Sequence, residues 1–217
     1  MKIISNIFNR VLFNLIPVNT RFKLMHRFNF WGSIESVSGP GSEITKTTSV
    51  RHIISEVIKD YKIASILDIP CSDFNWMKLV NLSIVNYIGA DIVRQIIDKN
   101  NTEYTSKNRE FRLLSIYDDN LPKVNMVFSR DCFIHFSNKL ILKSLKNIKE
   151  SGSKYLLTNH YPDLKENIDI KTGTNRPMNL QINPFNLPEP IEMFEEKEFI
   201  NKIYGRKMLA LWEIEKL

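Results

Sequence analysis

Glycine is scarce in this 217-residue chain, which has only 7 glycines against 9 prolines. A sheet that closes its backbone on a pyrophosphate needs glycines in its first turn, so the shortage counts against dinucleotide and nucleoside-triphosphate sites. Cysteine is scarcer still. Cys71 and Cys132 alone give no disulfide framework, and a reducing cytoplasmic location is the expectation. No His/Cys/Asp cluster has metal-ligand spacing. No apolar run approaches the ~18–20 residues of a membrane span. The apolar stretch at the start is broken by Asn6, Asn9, Arg10 and Asn14 with no small-residue cleavage site after it, which argues against export. Acid is absent from residues 1–30, which hold Lys2, Arg10, Arg21, Lys23 and Arg27. These five supply most of the net charge of +6, so the remainder is nearly neutral and a broad nucleic-acid groove is not expected.

The hydrophobic content of 43% and charged content of 25% suit a soluble globular protein, here one α/β domain with a short N-terminal addition. Ile3, Ile4, Ile7, Phe8, Val11, Leu12, Leu15 and Ile16 repeat at i, i+3, i+4, the stripe of an amphipathic helix that Pro17 ends. Such a helix packs on the body, on a second copy in a homodimer, or on a membrane surface. The expected division is 1–30 for this helix and linker and 31–217 for the main domain.

Strands are expected near 64–68, 87–91, 111–116, 124–129, 154–158 and 208–214. Helices fall near 50–58, 76–80, 92–99 and 138–149. This alternation predicts a doubly wound, mostly parallel sheet. Residues beyond strand five, with Pro184, Pro188 and Pro190, read as a long ordered loop.

The first βα unit is the most informative segment: Ser65-Ile66-Leu67-Asp68-Ile69-Pro70-Cys71-Ser72-Asp73-Phe74. A second apolar run, Tyr87-Ile88-Gly89-Ala90-Asp91, ends in an acid 91 − 68 = 23 residues after the first. That is close to the spacing of about 20 at which a carboxylate ending strand two meets ribose hydroxyls. The positions of G-x-G-x-x-G after Ile69 hold Pro70, Ser72 and Asn75, and Asp73 would face phosphates. An adenosyl ligand with an amino-acid tail escapes both objections. Its ammonium would meet Asp68 or Asp73, and its carboxylate the helix N-terminus expected after Ser72. That ligand is S-adenosylmethionine.

The chain here resembles the class I S-adenosylmethionine-dependent methyltransferases, and within them a bacterial branch with a Pro-Cys-Gly-Asp type first loop. The matching segments are Leu67–Trp76, Tyr87–Ile92, Ser129-Arg130-Asp131-Cys132-Phe133-Ile134-His135-Phe136, Ser151–Thr158, Arg176-Pro177-Met178-Asn179-Leu180 and Pro184–Pro190. The resemblance implies a Rossmann-like methyltransferase sheet of seven strands, the last antiparallel, with the N-terminal helix as an extension. It also implies that Asp68 organises the methionine end of the cofactor with Cys71 and Asp73 beside it. Asp91 would bind the ribose, Ile92 the adenine face, and Ser115 or Ile116 the adenine edge. Pro70, Ser72 and Phe74 stand where that family's D-x-G-x-G-x-G has glycines.

Methyl transfer needs alignment of the acceptor and, for some acceptors, a base. Asp131 and His135, four apart after strand four, would share the cleft face of a helix starting there and are the catalytic candidates. Arg130 pairs with Asp131 or serves the cofactor. His160 after strand five, with Arg176 and Asn179 in the long loop, are the substrate-binding candidates, Arg176 for an anionic group. The expected reaction is methylation at O or N of a small polar acceptor, such as a sugar or glycan precursor. The rivals are an RNA methyltransferase using the basic N-terminus, and a methyltransferase-shaped binding or scaffold protein.

Overall fold

The computed structural model describes residues 16–201 and 204–217. The helix expected over residues 3–16 lies outside them except for Ile16. The apolar runs become β1 (Ser65–Asp68), β2 (Asn86–Asp91), β3 (Arg109–Leu113), β4 (Met126–Ser129), β5 (Tyr155–His160), β6 (Glu192–Asn201) and β7 (Gly205–Glu213). They form one sheet in the order β3-β2-β1-β4-β5-β7-β6. β1 to β5 run parallel, β7 pairs antiparallel with β5, and β6 pairs antiparallel with β7. This is the seven-stranded, mostly parallel α/β sheet with an antiparallel last strand that was expected.

β4 and β5 are buried at every position, as strands covered on both faces must be. The helices are α1 (Val18–Arg27), α2 (Thr48–Asp60), α3 (Arg94–Tyr104) and α4 (Asn138–Glu150). α2 turns Val50, Ile53, Ile54, Val57 and Ile58 to one face of the sheet, where Ile66 and Phe128 meet them. α4 buries Ile141, Leu145 and Ile148 against the other face, with Val127 and Leu156. Its start is fixed by Ser137, whose side chain accepts from the Leu140 amide. Among the described residues no helix is long and apolar enough to cross a membrane.

Two expectations are corrected. Residues 76–80 make only a short 3-10 turn, Met77–Leu79. Phe74, Trp76, Met77, Val80 and Leu82 are all buried there, and Lys78 and Leu79 alone of residues 76–80 are exposed, so the segment packs as a tight turn. The long loop before the last strand also ends early, because Glu192–Asn201 is a strand.

α1 is part of the domain. The Tyr117 hydroxyl donates to Asn19 Oδ1 at 2.6 Å, the Arg21 guanidinium donates to the Thr172 carbonyl, and the Phe22 ring meets Phe136 edge-on at 6.1 Å.

Candidate active site

Strand order reverses at β1, whose neighbours β2 and β4 lead their connections to opposite sides and leave a crevice at the carboxyl ends. A cavity of about 460 Å³ lies there. Asp68 ends β1 and Asp91 ends β2, and both line it. Asp68, 3% exposed, accepts from the Tyr87 hydroxyl at 2.5 Å. Burial pushes its carboxyl up to about 7, against the Tyr87 hydrogen bond and with help from Asp91. Asp91 accepts from the Val93 amide at 2.9 Å, and burial raises it to about 6.

The loop between them keeps the backbone shape that glycines would give. Ser72 (φ 48°) and Phe74 (φ 56°) occupy the left-handed region. Phe74 uses it to drop its ring among Tyr87, Tyr104 and Phe111, at 5.3, 5.2 and 5.3 Å between centroids. Asn100 on α3 donates to the Ser72 carbonyl at 2.6 Å, and Cys71 donates its amide to the Ala90 carbonyl at 2.8 Å. Glycine is spent instead on β2. A Cβ at Gly89 would lie 2.5 Å from the Phe111 ring and 3.1 Å from Cys71 Sγ, so only glycine lets loop and strand close.

The other cofactor candidates divide. Cys71 and Ile92 line the cavity, as do Leu114, Ile116 and Tyr117. Ser115 does not. Its amide donates to Asp119 at 2.7 Å, and its flanking residues face the cavity instead. Asp73 also turns away, accepting from Ser36 Oγ at 3.1 Å and the Val37 amide at 2.9 Å. It thereby anchors a strap, residues 31–46, that crosses the cavity. Ser38 Oγ bonds Ser72 Oγ, Asn75 Nδ2 donates to the Ser42 carbonyl at 3.2 Å, and Arg130 Nη1 donates to the Gly41 carbonyl at 3.0 Å. The helix N-terminus expected after Ser72 is absent, since only a 3-10 turn follows.

Beyond β4 the expected helix face is not formed. Asp131 has φ 53°, and Phe133–His135 is a 3-10 turn. Asp131 and His135 nevertheless both line the cavity. His135 Nδ1 lies 2.8 Å from the Thr174 carbonyl, and Trp31 of the strap packs on its ring at 4.5 Å. A carbonyl only accepts, so Nδ1 carries the proton and the neutral ring has its lone pair on Nε2. Burial lowers the imidazole's pKa, which keeps that neutral form.

Asp131 makes the expected pair with Arg130, within a buried charge cluster whose other members, Lys207 and Glu196, no motif marked. Lys207 Nζ lies 2.7 Å from Oδ1 and Arg130 Nη1 3.3 Å from Oδ2. Glu196, 1% exposed, meets Arg130 at 2.8 Å and Lys207 at 3.2 Å, and accepts from Asn159 at 2.6 Å. Burial alone would raise Asp131, but Lys207 and Arg130 hold it below the usual carboxylate range. A carboxylate so stabilised is a weak base.

Of the substrate-binding candidates, His160 and Asn179 are held within the framework. His160 is fully buried, accepting from the Leu180 amide at 3.1 Å, with Nε2 at 3.1 Å from Gln181. Asn179 donates to the carbonyls of Pro162 and Leu164 at 3.2 and 3.0 Å. Neither lines the cavity. Arg176 does, but its guanidinium donates to the Phe133 and Ile168 carbonyls at 2.8 and 3.1 Å and to Asn138 at 2.9 Å. Among the described residues, the cations lining the cavity, Arg130, Arg176 and Lys207, are thus engaged within the protein. Residues that no motif marked, Trp31, Tyr161, Phe199 and Tyr204, give this end aromatic walls.

The chain matches no family model, and no curated protein matches it. Its fold does have relatives of known structure, and they are class I S-adenosylmethionine-dependent methyltransferases. Magnesium protoporphyrin IX methyltransferase from Synechocystis, with bound S-adenosylmethionine, is 12% identical with a TM-score of 0.57, over 91% of this chain and 98% of that one. The methyltransferase domain of bacterial CtHen1 gives 9% and 0.56, over 79% of this chain and 100% of that one. A methyltransferase from Clostridium acetobutylicum gives 10% and 0.56, over 78% and 92%. The fold is therefore the Rossmann-like methyltransferase fold.

Proposed function

We propose that the protein is an S-adenosylmethionine-dependent methyltransferase acting on oxygen or nitrogen of a small polar acceptor of the sugar or glycan-precursor type. The observation that carries this is one cavity with Asp68 and Asp91 at one end and His135 at the other. Two buried acids raised by desolvation suit a ligand bringing an ammonium and vicinal hydroxyls, because such donors relieve the burial. Asp68 and the 70–73 loop would hold the amino-acid end, Asp91 the ribose, and Ile92, Leu114 and Ile116 the adenine. When bound, S-adenosylmethionine supplies an electrophilic methyl group on a sulfonium.

The chain's own part is orientation, exclusion of water and removal of one proton. The Thr174 carbonyl fixes the His135 tautomer, so Nε2 accepts the acceptor's proton. Asp131, near His135, favours the imidazolium that results. The strap and α1 cover the cavity against water. Among the described residues the cations at the acceptor end are internally paired, so a neutral hydroxylated ring against the aromatic walls fits better than an anion. This replaces the role expected of Arg176.

The test is calorimetric titration of S-adenosylhomocysteine into wild type and Asp91→Ala. Micromolar binding that the variant loses is the expected result. No binding to folded wild type would overturn the enzyme reading.

A further inference from the structure

The segment joining α1 to the strap exposes large apolar side chains beside the cavity. Phe28 is 73%, Phe30 62% and Ile34 105% exposed. Their chain neighbours Met25, His26 and Trp31 line the cavity. One side of this short segment therefore borders the site and the other offers bare hydrophobic surface to solvent.

Its charge is one-sided. No acid precedes Glu35 in the chain, and five cations do. Of the 30 basic residues the other 25 face 24 acids, so the surplus lies in the first 34 residues of the sequence, and Lys23 and Arg27 are its share in this segment. Lys23 and Arg27 are exposed, and the Arg27 guanidinium lies 5.9 Å over the Phe28 ring. Exposed aromatic and aliphatic groups with cations, and no acid from Lys23 to Ile34, suit an anionic bilayer: the rings enter the headgroup boundary and the cations meet lipid anions. A seam between two copies would instead bring like charges together.

We infer that residues 23–34 dock the protein on an anionic membrane surface with the cavity beside the headgroups, so that the methyl acceptor is presented from the bilayer. The docking stands on exposure and charge, and only the statement about the acceptor rests on the proposed function.

The test is flotation of the full chain with vesicles of phosphatidylcholine alone or with phosphatidylglycerol, at low and high salt. Binding to the anionic vesicles, weakened by salt, is expected. Phe28→Ser/Ile34→Ser should lower it at least about tenfold through lost apolar contact. Lys23→Glu/Arg27→Glu should do so through lost attraction. Phe30 is left intact because it packs edge-on against Trp31 at 5.3 Å. S-adenosylhomocysteine titration of each variant gives an independent readout of the site, so failure of docking and failure of the methyltransferase reading are separable. The inference is overturned if wild type ignores anionic vesicles, or if both double variants bind them equally well. It is also overturned if sedimentation shows a wild-type dimer that Phe28→Ser/Ile34→Ser dissolves, because the patch then joins two copies.

Discussion

Binding of an adenosyl ligand should depend steeply on pH through Asp68. In the free protein burial raises this carboxyl to about 7, with Asp91 at about 6. Both exceed the ordinary carboxylate value of ~4. The native chain thus holds these protons more tightly than the unfolded chain. Each acid therefore costs stability as pH rises from ~4 through its native value, and the penalty vanishes below ~4. For Asp68, raised from 3.8 to about 7, the full cost at pH 8 is about 4 kcal/mol. A ligand ammonium placed against Asp68 requires the carboxylate. Roughly half of the sites are ionised at pH 7 and about a tenth at pH 6, so affinity should fall about tenfold per pH unit below 7. Between pH 8 and pH 5 the loss is roughly 100-fold, and more where Asp91 must also ionise. Titrations of S-adenosylhomocysteine across this range, each in two buffers of different ionisation enthalpy, would count the protons released. Asp68→Asn should bind weakly and keep only the shallower pH dependence that Asp91 contributes. An affinity constant within about twofold from pH 6 to pH 8 would refute the reasoning, since ionisation would then cost nothing.

His135→Gln should lower kcat by about 10²–10⁴-fold with little change in KM. Wild-type kcat should be flat at neutral pH and fall only below the ordinary histidine value of 6.5, because burial lowers the His135 pKa; both effects are read from steady-state pH profiles once an acceptor is found. Glu196→Ala strands Arg130 and Lys207 with Asp131 alone and should cost about 3–5 kcal/mol, which a thermal melt would show as a drop of roughly 6–20 °C. Phe74→Ala should cost about 3–5 kcal/mol by emptying the ring cluster, whereas Ser72→Gly, which suits the left-handed backbone, should leave the melt and S-adenosylhomocysteine affinity within about twofold of wild type.

The central sheet was legible because parallel strands buried on both faces leave unbroken apolar runs such as residues 126–128 and 155–157. The two acids at the ends of β1 and β2 followed from spacing alone. β6 was not legible, since Glu195-Glu196-Lys197-Glu198 looks like a solvated charge run. Glu196 is buried only because Arg130 and Lys207, distant in sequence, converge on it. His160 and Arg176 misled for the converse reason: a polar residue near a strand end looks free in sequence, while the fold had already used its donors and acceptors on backbone groups. Trp31 and Asn100 gave no warning, because their roles depend on the loops they touch and not on any spacing of their own.

The left-handed turn at Phe74 has a practical consequence for anyone selecting variants. A glycine-built loop can vary for function while the hydrophobic interior stays constant. Here the same few residues carry the edge of the site and a ring of the interior, through Phe74 on one side and Ser72 on the other. A screen for altered cofactor use that randomises residues 70–75 will therefore return mostly unfolded protein. New specificity is better sought in the strap and around Phe199, where side chains border the cavity without filling the core.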